Sequence, residues 1–186
     1  MSFEDVLLAA HLLAVLTMLV SLITDWFGVH MLRNATTAPQ SREGLRALTA
    51  SAAFGVWGRL GALAAGLWLA IDAWNWQGWI IAGITGWTML VLLGEPLTGK
   101  DLRDMVKAAR QAEDDLPAEL AARIHDPRLW TSVATRTGVM AAVVACMTGK
   151  PGLFAGLGLL LAGYLMGLVA ARLTATRKPP HAEAVR

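Results

Sequence analysis

The chain has 186 residues, of which 55% are hydrophobic, and a formal net charge of +2. Its mean hydropathy is +0.50, and the apolar residues come in long blocks. This composition excludes an ordinary soluble domain and predicts an integral membrane protein embedded in a lipid bilayer. The pI near 9.0 is compatible with nucleic-acid binding, but the cations lie between the apolar blocks, so we expect no nucleic-acid partner.

Five apolar segments predict membrane-crossing helices. We place these spans at residues 6–32, 48–71, 78–94, 129–147 and 153–171. Between the third and fourth spans, residues 100–125 carry apolar side chains at helical spacing with charges opposite, which predicts a cytoplasmic amphipathic helix broken near Pro117. The expected fold class is all-α. It is a single transmembrane helical bundle over residues 1–175, with a polar tail at 176–186.

The distribution of cations predicts the orientation of these spans. Most Lys and Arg residues lie in segments 33–46 and 100–128 and in the tail, which five crossings place on one side of the membrane. Loops rich in Lys and Arg face the cytoplasm. We therefore expect the N-terminus outside and the C-terminus in the cytoplasm.

Ionisable residues interrupt three of the spans. Asp25 lies about seven residues from Leu32, Arg59 about eight from Ser51 and Arg136 eight from Arg128, which places all three roughly 10–12 Å inside the cytoplasmic boundary. An unpaired charge at that depth is costly, so we expect a buried polar layer. Two interpretations stay open: a structural ion-pair network, or a functional site for an anion, a proton or a transported solute. Further candidates for this layer are Glu95, Thr17 and Ser21.

His11 lies in the outer half of the first span and is a candidate ligand for haem b or copper. His30 is ~28 Å further along the same helix, so it cannot bind the same group. A second ligand would come from another helix, where Met147 and Cys146 are the candidates in this chain. In the alternative interpretation, His11 only forms a hydrogen bond with a neighbouring helix.

The fifth span contains glycines that share one helix face, and small residues at such spacing let helices approach closely in lipid. They are Gly152, Gly156, Gly163 and Gly167. This face and the amphipathic segment are the surfaces on which we expect association with other membrane subunits or with a second copy.

Two short motifs resemble a known group of proteins. They are Ala10-His11-Leu12-Leu13 in the first span and Met147-Thr148-Gly149-Lys150-Pro151 after the fourth. With them, roughly residues 5–151 resemble uncharacterised bacterial integral membrane proteins, a group loosely similar to copper-resistance D (CopD-type) membrane proteins. The resemblance implies a bacterial inner-membrane protein, and it implies copper or haem handling at His11. The chain departs from that pattern after His11, where Thr17, Ser21 and Asp25 replace a glycine-rich continuation.

No grouping of residues in the sequence is typical of a catalytic site, and we predict no catalytic residue. The expected function is that of a small non-enzymatic membrane subunit or carrier-like component with a buried Asp/Arg layer. Two alternatives stay open: a haem- or copper-binding redox or metal-handling protein that uses His11, and an ion or solute transport pathway through the bundle.

Overall fold

The computed structural model describes residues 2–175, apart from the side chains at positions 96, 98 and 175, and every regular element in that range is a helix. The predicted polar tail at 176–186 lies outside the described residues. The helices are α1 (Phe3–Arg33), α2 (Ala38–Asp72), α3 (Gly78–Leu93), α4 (Glu95–Thr98), α5 (Lys100–Gln111), α6 (Ala118–Ile124), α7 (Pro127–Gly149) and α8 (Leu153–Ala175).

Four helical segments are long and apolar enough to cross a membrane: α1, α2, the segment Ala118–Gly149 that contains α7, and α8. The all-α prediction is therefore confirmed, together with a helical bundle that has four candidate spans. The third predicted span is apolar, but α3 has 16 residues. Its length is ~24 Å, against ~30 Å for a hydrocarbon core. Five crossings therefore stay a prediction.

Local chemistry explains where the helices begin and end. Ser2 caps α1 and forms a capping box with Asp5, in which each side chain bonds the backbone N–H of the other residue. Asp126 caps α7, whose first residue is a proline. At the other end of α7, Lys150 adopts a left-handed backbone conformation and Pro151 follows it, so the helix cannot continue.

The helices form two packed units, the hairpin α1–α2 and the group α3–α7–α8. We call the end that contains Phe3, Asp72 and Gly149 the outer end, and the opposite end the inner end. Phe3 packs on Trp68 at the outer end, with ring centroids 6.0 Å apart. The 31 residues of α1 and 35 of α2 correspond to ~47 Å and ~53 Å, so both helices are longer than the ~30 Å of a hydrocarbon core.

The amphipathic segment packs against the inner end of the hairpin. It is interrupted before Pro117, as expected: α5 ends at Gln111, and α6 begins directly after Pro117, its N-cap residue. The apolar side chains of the segment pack in one core with residues of α1 and α2. The core includes Leu32 and Leu48 from the hairpin, and Met105, Leu120 and Ile124 from the amphipathic segment. The apolar face on which we expected partner association is therefore covered within the chain.

The glycine face of α8 is also used within the chain. A Cβ at Gly163 would overlap the backbone of Gly138 on α7, and a Cβ at Gly167 would lie 2.6 Å from the Ala134 carbonyl oxygen. Gly156 faces α3, where its Cβ would lie 2.7 Å from the Ala82 side chain. These three glycines allow close helix contact inside the bundle, whereas Gly152 has nothing within 4 Å. The face is therefore not free for a second subunit.

Candidate functional site

The polar layer is centred on an ion pair between α1 and α7. Asp25 Oδ2 lies 2.5 Å from Arg136 Nη1, and the two side chains are 3% and 6% exposed. The Ser51 hydroxyl on α2 lies 2.5 Å from Asp25 Oδ1 and 2.8 Å from the carbonyl oxygen of Ser21. Ser21 in turn donates to the carbonyl oxygen of Ser51, at 3.0 Å. These contacts join three helices through charge-assisted hydrogen bonds.

Arg59 belongs to the same layer and interacts electrostatically with Asp25, but it forms no direct ion pair, because Asp25 pairs with Arg136. The Arg59 side chain extends back along α2 toward Gly55. A Cβ added at Gly55 would lie 3.0 Å from Arg59 Nη1 and 2.7 Å from Ser21 Oγ, so Gly55 leaves room for both groups. The Arg59 guanidinium forms no hydrogen bond or ion pair with any described residue. Arg136 Nε is also buried without a partner in the described part of the chain. The layer thus combines two guanidinium groups with one carboxylate.

A small void adjoins these arginines. Its volume is about 10 Å³, which corresponds to roughly one water molecule. Its lining includes the polar side chains of Ser21, Arg59 and Arg136 and the apolar side chains of Met18, Leu90 and Met140. The layer therefore contains space for a small polar group.

Two residues that we expected in this layer lie apart from it. Glu95 is exposed at the start of α4, because α3 ends at Leu93 and the chain turns before the carboxylate can reach the layer. Thr17 donates to the carbonyl oxygen of Leu13 in its own helix, at 2.8 Å. Ser51 was not among the predicted residues, although Ser51 and Arg59 lie on one face of α2 at a spacing of eight residues.

Toward the outer end, the two packed units separate around an apolar cavity of about 370 Å³. The volume is within the range of binding sites for small molecules. Its walls come from α1, α2, α3 and α7, and they include Leu8, Val15, Leu63, Leu67, Ile80, Ile84, Trp87 and Val143. The polar side chains on its lining belong to His11, Thr148 and Lys150, and the rings of three tryptophans also line it.

His11 contributes an imidazole to this cavity in a defined orientation. Its Nδ1 lies 3.0 Å from the carbonyl oxygen of Ala62. A carbonyl only accepts, so Nδ1 carries the proton and Nε2 presents a lone pair. Gly66 allows the ring to lie against α2, since a Cβ there would be 3.1 Å from His11 Cε1. Nε2 has no hydrogen-bond partner among residues 2–175.

Of the two sulfur ligands predicted for His11, one lines the same cavity. Met147 lies on its wall, whereas Cys146 is buried and turned toward α8, with its sulfur 3.7 Å from the carbonyl oxygen of Gly156. The cause is the turn of the helix, because consecutive residues of α7 point in directions about 100° apart. In the described range, no group of three or more His, Cys, Asp or Glu side chains could hold a metal ion.

The two ends of the cavity differ in their chemistry. At the outer end, the Lys150 ammonium lies 5.9 Å and 5.5 Å from the ring centroids of Trp74 and Trp79. At the inner end, Met18, Leu90 and Met140 form the floor, and the same three side chains line the void beside the arginines. A single layer of side chains thus separates the apolar cavity from the polar layer.

Comparisons with protein-family models, with curated proteins and with solved structures give no match for this chain. The resemblance to CopD-type proteins therefore stays a prediction, and the functional argument depends on the geometry of the bundle.

Proposed function

We propose that this is a bacterial inner-membrane protein that crosses the bilayer five times, with its N-terminus outside and its C-terminus in the cytoplasm. The position of α3 supports the fifth crossing. Gly78 at its start lies against Leu153 at the outer end, and the Leu93 carbonyl at its end accepts a hydrogen bond from Ser132. The 16 residues of α3 therefore cover the same depth as most of α7. The cation-rich segments then share one side.

The function that the geometry supports best is binding of a hydrophobic small molecule in the outer-half cavity, as a non-enzymatic, carrier-like membrane component. The observation that carries this proposal is the apolar cavity of about 370 Å³ with a single oriented imidazole on its wall. Sites for small molecules are mostly apolar, with a few polar groups that orient the ligand. The apolar walls would hold the body of the ligand, and His11 Nε2 would accept a hydrogen bond from it.

The direct test is to identify small molecules that co-purify with the protein from its native membranes in mild detergent. Val15 lines the cavity, so Val15→Trp would fill it. The neighbouring Leu16 is 55% exposed on the outer surface of α1, so Leu16→Trp is the matched control. We expect mass spectrometry to detect one apolar compound per chain in wild type and Leu16→Trp, and its loss in Val15→Trp. Equal amounts in all three proteins would contradict the proposal.

A second candidate ligand is haem, which is favoured because His11 and Met147 line the same cavity. The hydrogen bond from Nδ1 to a backbone carbonyl is the arrangement that orients a histidine for metal ligation through Nε2. His11 would hold the haem iron through Nε2, and the haem would supply one-electron chemistry there. A bare copper ion fits less well, because the imidazole and the thioether are the two ligands that the described cavity wall offers.

Absorption spectroscopy separates haem from a colourless ligand. In the haem case, the purified protein has a Soret band that His11→Ala removes. His30→Ala is the control, since His30 lies on the same helix but outside the cavity lining. A colourless protein that still carries an apolar compound would exclude haem and leave the main proposal intact.

A further inference from the structure

We propose that the ligand of the cavity is an amphiphilic carboxylate, whose tail fills the apolar cavity and whose anionic head reaches Arg59 and Arg136. This inference depends on the proposed function, because it names the chemical class of the ligand at the same site. It follows from the charge of the polar layer, from its unused hydrogen-bond donors and from the shared wall between the layer and the cavity.

The charge of the layer is unbalanced. The carboxylate of Asp25 is already bonded to Arg136 and Ser51. Arg59 contributes a second guanidinium, which has no ion pair with any described residue. A net positive charge in a membrane-spanning region is costly when no anion accompanies it, and the low dielectric strengthens its attraction for one. A ligand with one negative charge would neutralise the layer.

The donors of the layer also lack acceptors. The guanidinium of Arg59 makes no hydrogen bond in the described part of the chain, and Arg136 Nε is buried without a partner. Both arginines line the void of about 10 Å³. Guanidinium N–H groups match the geometry of planar oxyanions. The void is about as large as one water molecule, so it has room for one carboxylate oxygen beside the guanidinium groups, whereas the four oxygens of a phosphate group need more space.

The cavity provides a route to these donors. Met18, Leu90 and Met140 line both the cavity and the void, so the two spaces share these side chains as a wall. Two of the three are methionines, whose unbranched side chains adapt to a new neighbour. From Gly149 to Met140, α7 rises ~14 Å, which corresponds to a medium-length alkyl chain.

The opposite orientation would place the head at Lys150. That ammonium already lies over the rings of Trp74 and Trp79, which attract a cation. Arg59 interacts electrostatically with Asp25, but that carboxylate is already bonded to Arg136 and Ser51, so the Arg59 donors have no acceptor among the described residues. The geometry therefore favours the deep end of the cavity for the anionic head.

The test compares two probes with the same number of carbon atoms and different head groups, the anionic carboxylate of dodecanoate and the neutral hydroxyl of dodecanol. Radiolabelled probe is bound to the full-length protein in phosphatidylcholine nanodiscs, at a pH where dodecanoate is ionised, and binding to empty nanodiscs is subtracted. We expect wild type to bind dodecanoate at least about tenfold more tightly than dodecanol, because hydrogen bonds between charged groups contribute that much to the binding affinity. Arg59→Gln should remove this preference without changing dodecanol binding, and Lys150→Gln should keep it.

Arg59 is the position to change, because its side chain makes no hydrogen bond or ion pair that holds the described fold together. Equal binding of both probes to wild type, an unchanged preference in Arg59→Gln, or a preference lost in Lys150→Gln would each overturn the assignment of the head to the arginines. In those cases the cavity would still bind an apolar ligand. Absence of binding for both probes would overturn the proposed function as well.

Discussion

The inner and outer halves of the bundle hold their helices together in different ways. In the inner half, α1, α2 and α7 are joined by the Asp25, Ser51 and Arg136 contacts, and α1 and α7 also by a 2.9 Å hydrogen bond from Trp26 to Thr137. In the outer half, the hairpin and the α3–α7–α8 group separate around an apolar cavity. There α1 and α2 are joined by a hydrogen bond between His11 Nδ1 and the carbonyl oxygen of Ala62.

Because of this difference, we expect the stability of the fold to depend mainly on the inner half and ligand binding to depend on the outer half. Lipid tails are as apolar as leucine, so burial of apolar surface does little to hold membrane helices together, and close packing and polar contacts matter more. Where those contacts are dense, the helices leave almost no space. Where they are sparse, an apolar space remains that a ligand can fill. We therefore expect inner-half substitutions to affect folding and outer-half substitutions to affect ligand content.

The largest expected effect comes from breaking the buried ion pair. Arg136→Leu leaves the Asp25 carboxylate buried without its cation, which should lower the free energy of unfolding by about 3–5 kcal/mol. We expect little folded protein in fluorescence-detected size-exclusion chromatography. The paired variant Asp25→Asn with Arg136→Gln removes both charges and should recover much of the folded fraction.

The same layer also tests the transport alternative. If Asp25→Asn gave a normally folded protein with altered solute flux, the layer would be a transport element and its structural role would be contradicted. A reduced yield of folded Asp25→Asn protein would favour the structural role.

The next effect concerns close packing of α8 on α7. Gly163→Ala places a Cβ against the backbone of Gly138, which cannot move without shifting a helix. The overpacking should cost about 1–3 kcal/mol in thermal unfolding measurements. Gly158→Ala is the control on the same helix, since nothing lies within 4 Å of a Cβ there. Equal melting temperatures for the two variants would contradict the packing described for α8.

A moderate effect is expected where α5 packs on the hairpin. The Arg42 guanidinium donates to carbonyl oxygens at the end of α5, those of Ala109 and Glu113 at 2.9 Å each, and that of Ala112. Arg42→Ala should destabilise this helix end by about 1–2 kcal/mol and increase protease cleavage at residues 112–117. Arg46→Ala should have no such effect, because among the described residues Arg46 pairs only with the exposed Glu43.

The smallest effect comes from truncating the cavity wall. Leu48 is fully buried in the inner core, and Leu48→Ala should cost about 2–5 kcal/mol. Leu67 already borders open space, so we expect Leu67→Ala to cost less than about 1 kcal/mol in the same unfolding measurement. Similar costs for both variants would mean that the two halves are packed alike, which would contradict a densely packed inner half and an outer half with open space.

The sequence predicted the elements of this fold better than their mutual contacts. Apolar blocks and helical periodicity gave the helices, and counting residues from the cytoplasmic ends placed Asp25 and Arg136 at one depth. That count could not show that Ser51 completes the network or that Glu95 lies outside it. Those facts depend on how each helix is rotated about its axis, which long-range packing decides. The sequence did not predict the cavity either, because its walls come from four helices whose mutual arrangement also depends on long-range packing.

The most direct test of a ligand-binding cavity in the outer half is a crystal structure of the protein. The protein would be purified from its native membranes and crystallised in a lipidic mesophase. We predict elongated density between α1, α2, α3 and α7, which contacts His11 and extends to Met18 and Met140 above the arginine layer. Direct packing of α3 and α7 against the hairpin, with no space between His11 and Met147, would contradict the central claim that the outer half is a ligand-binding site.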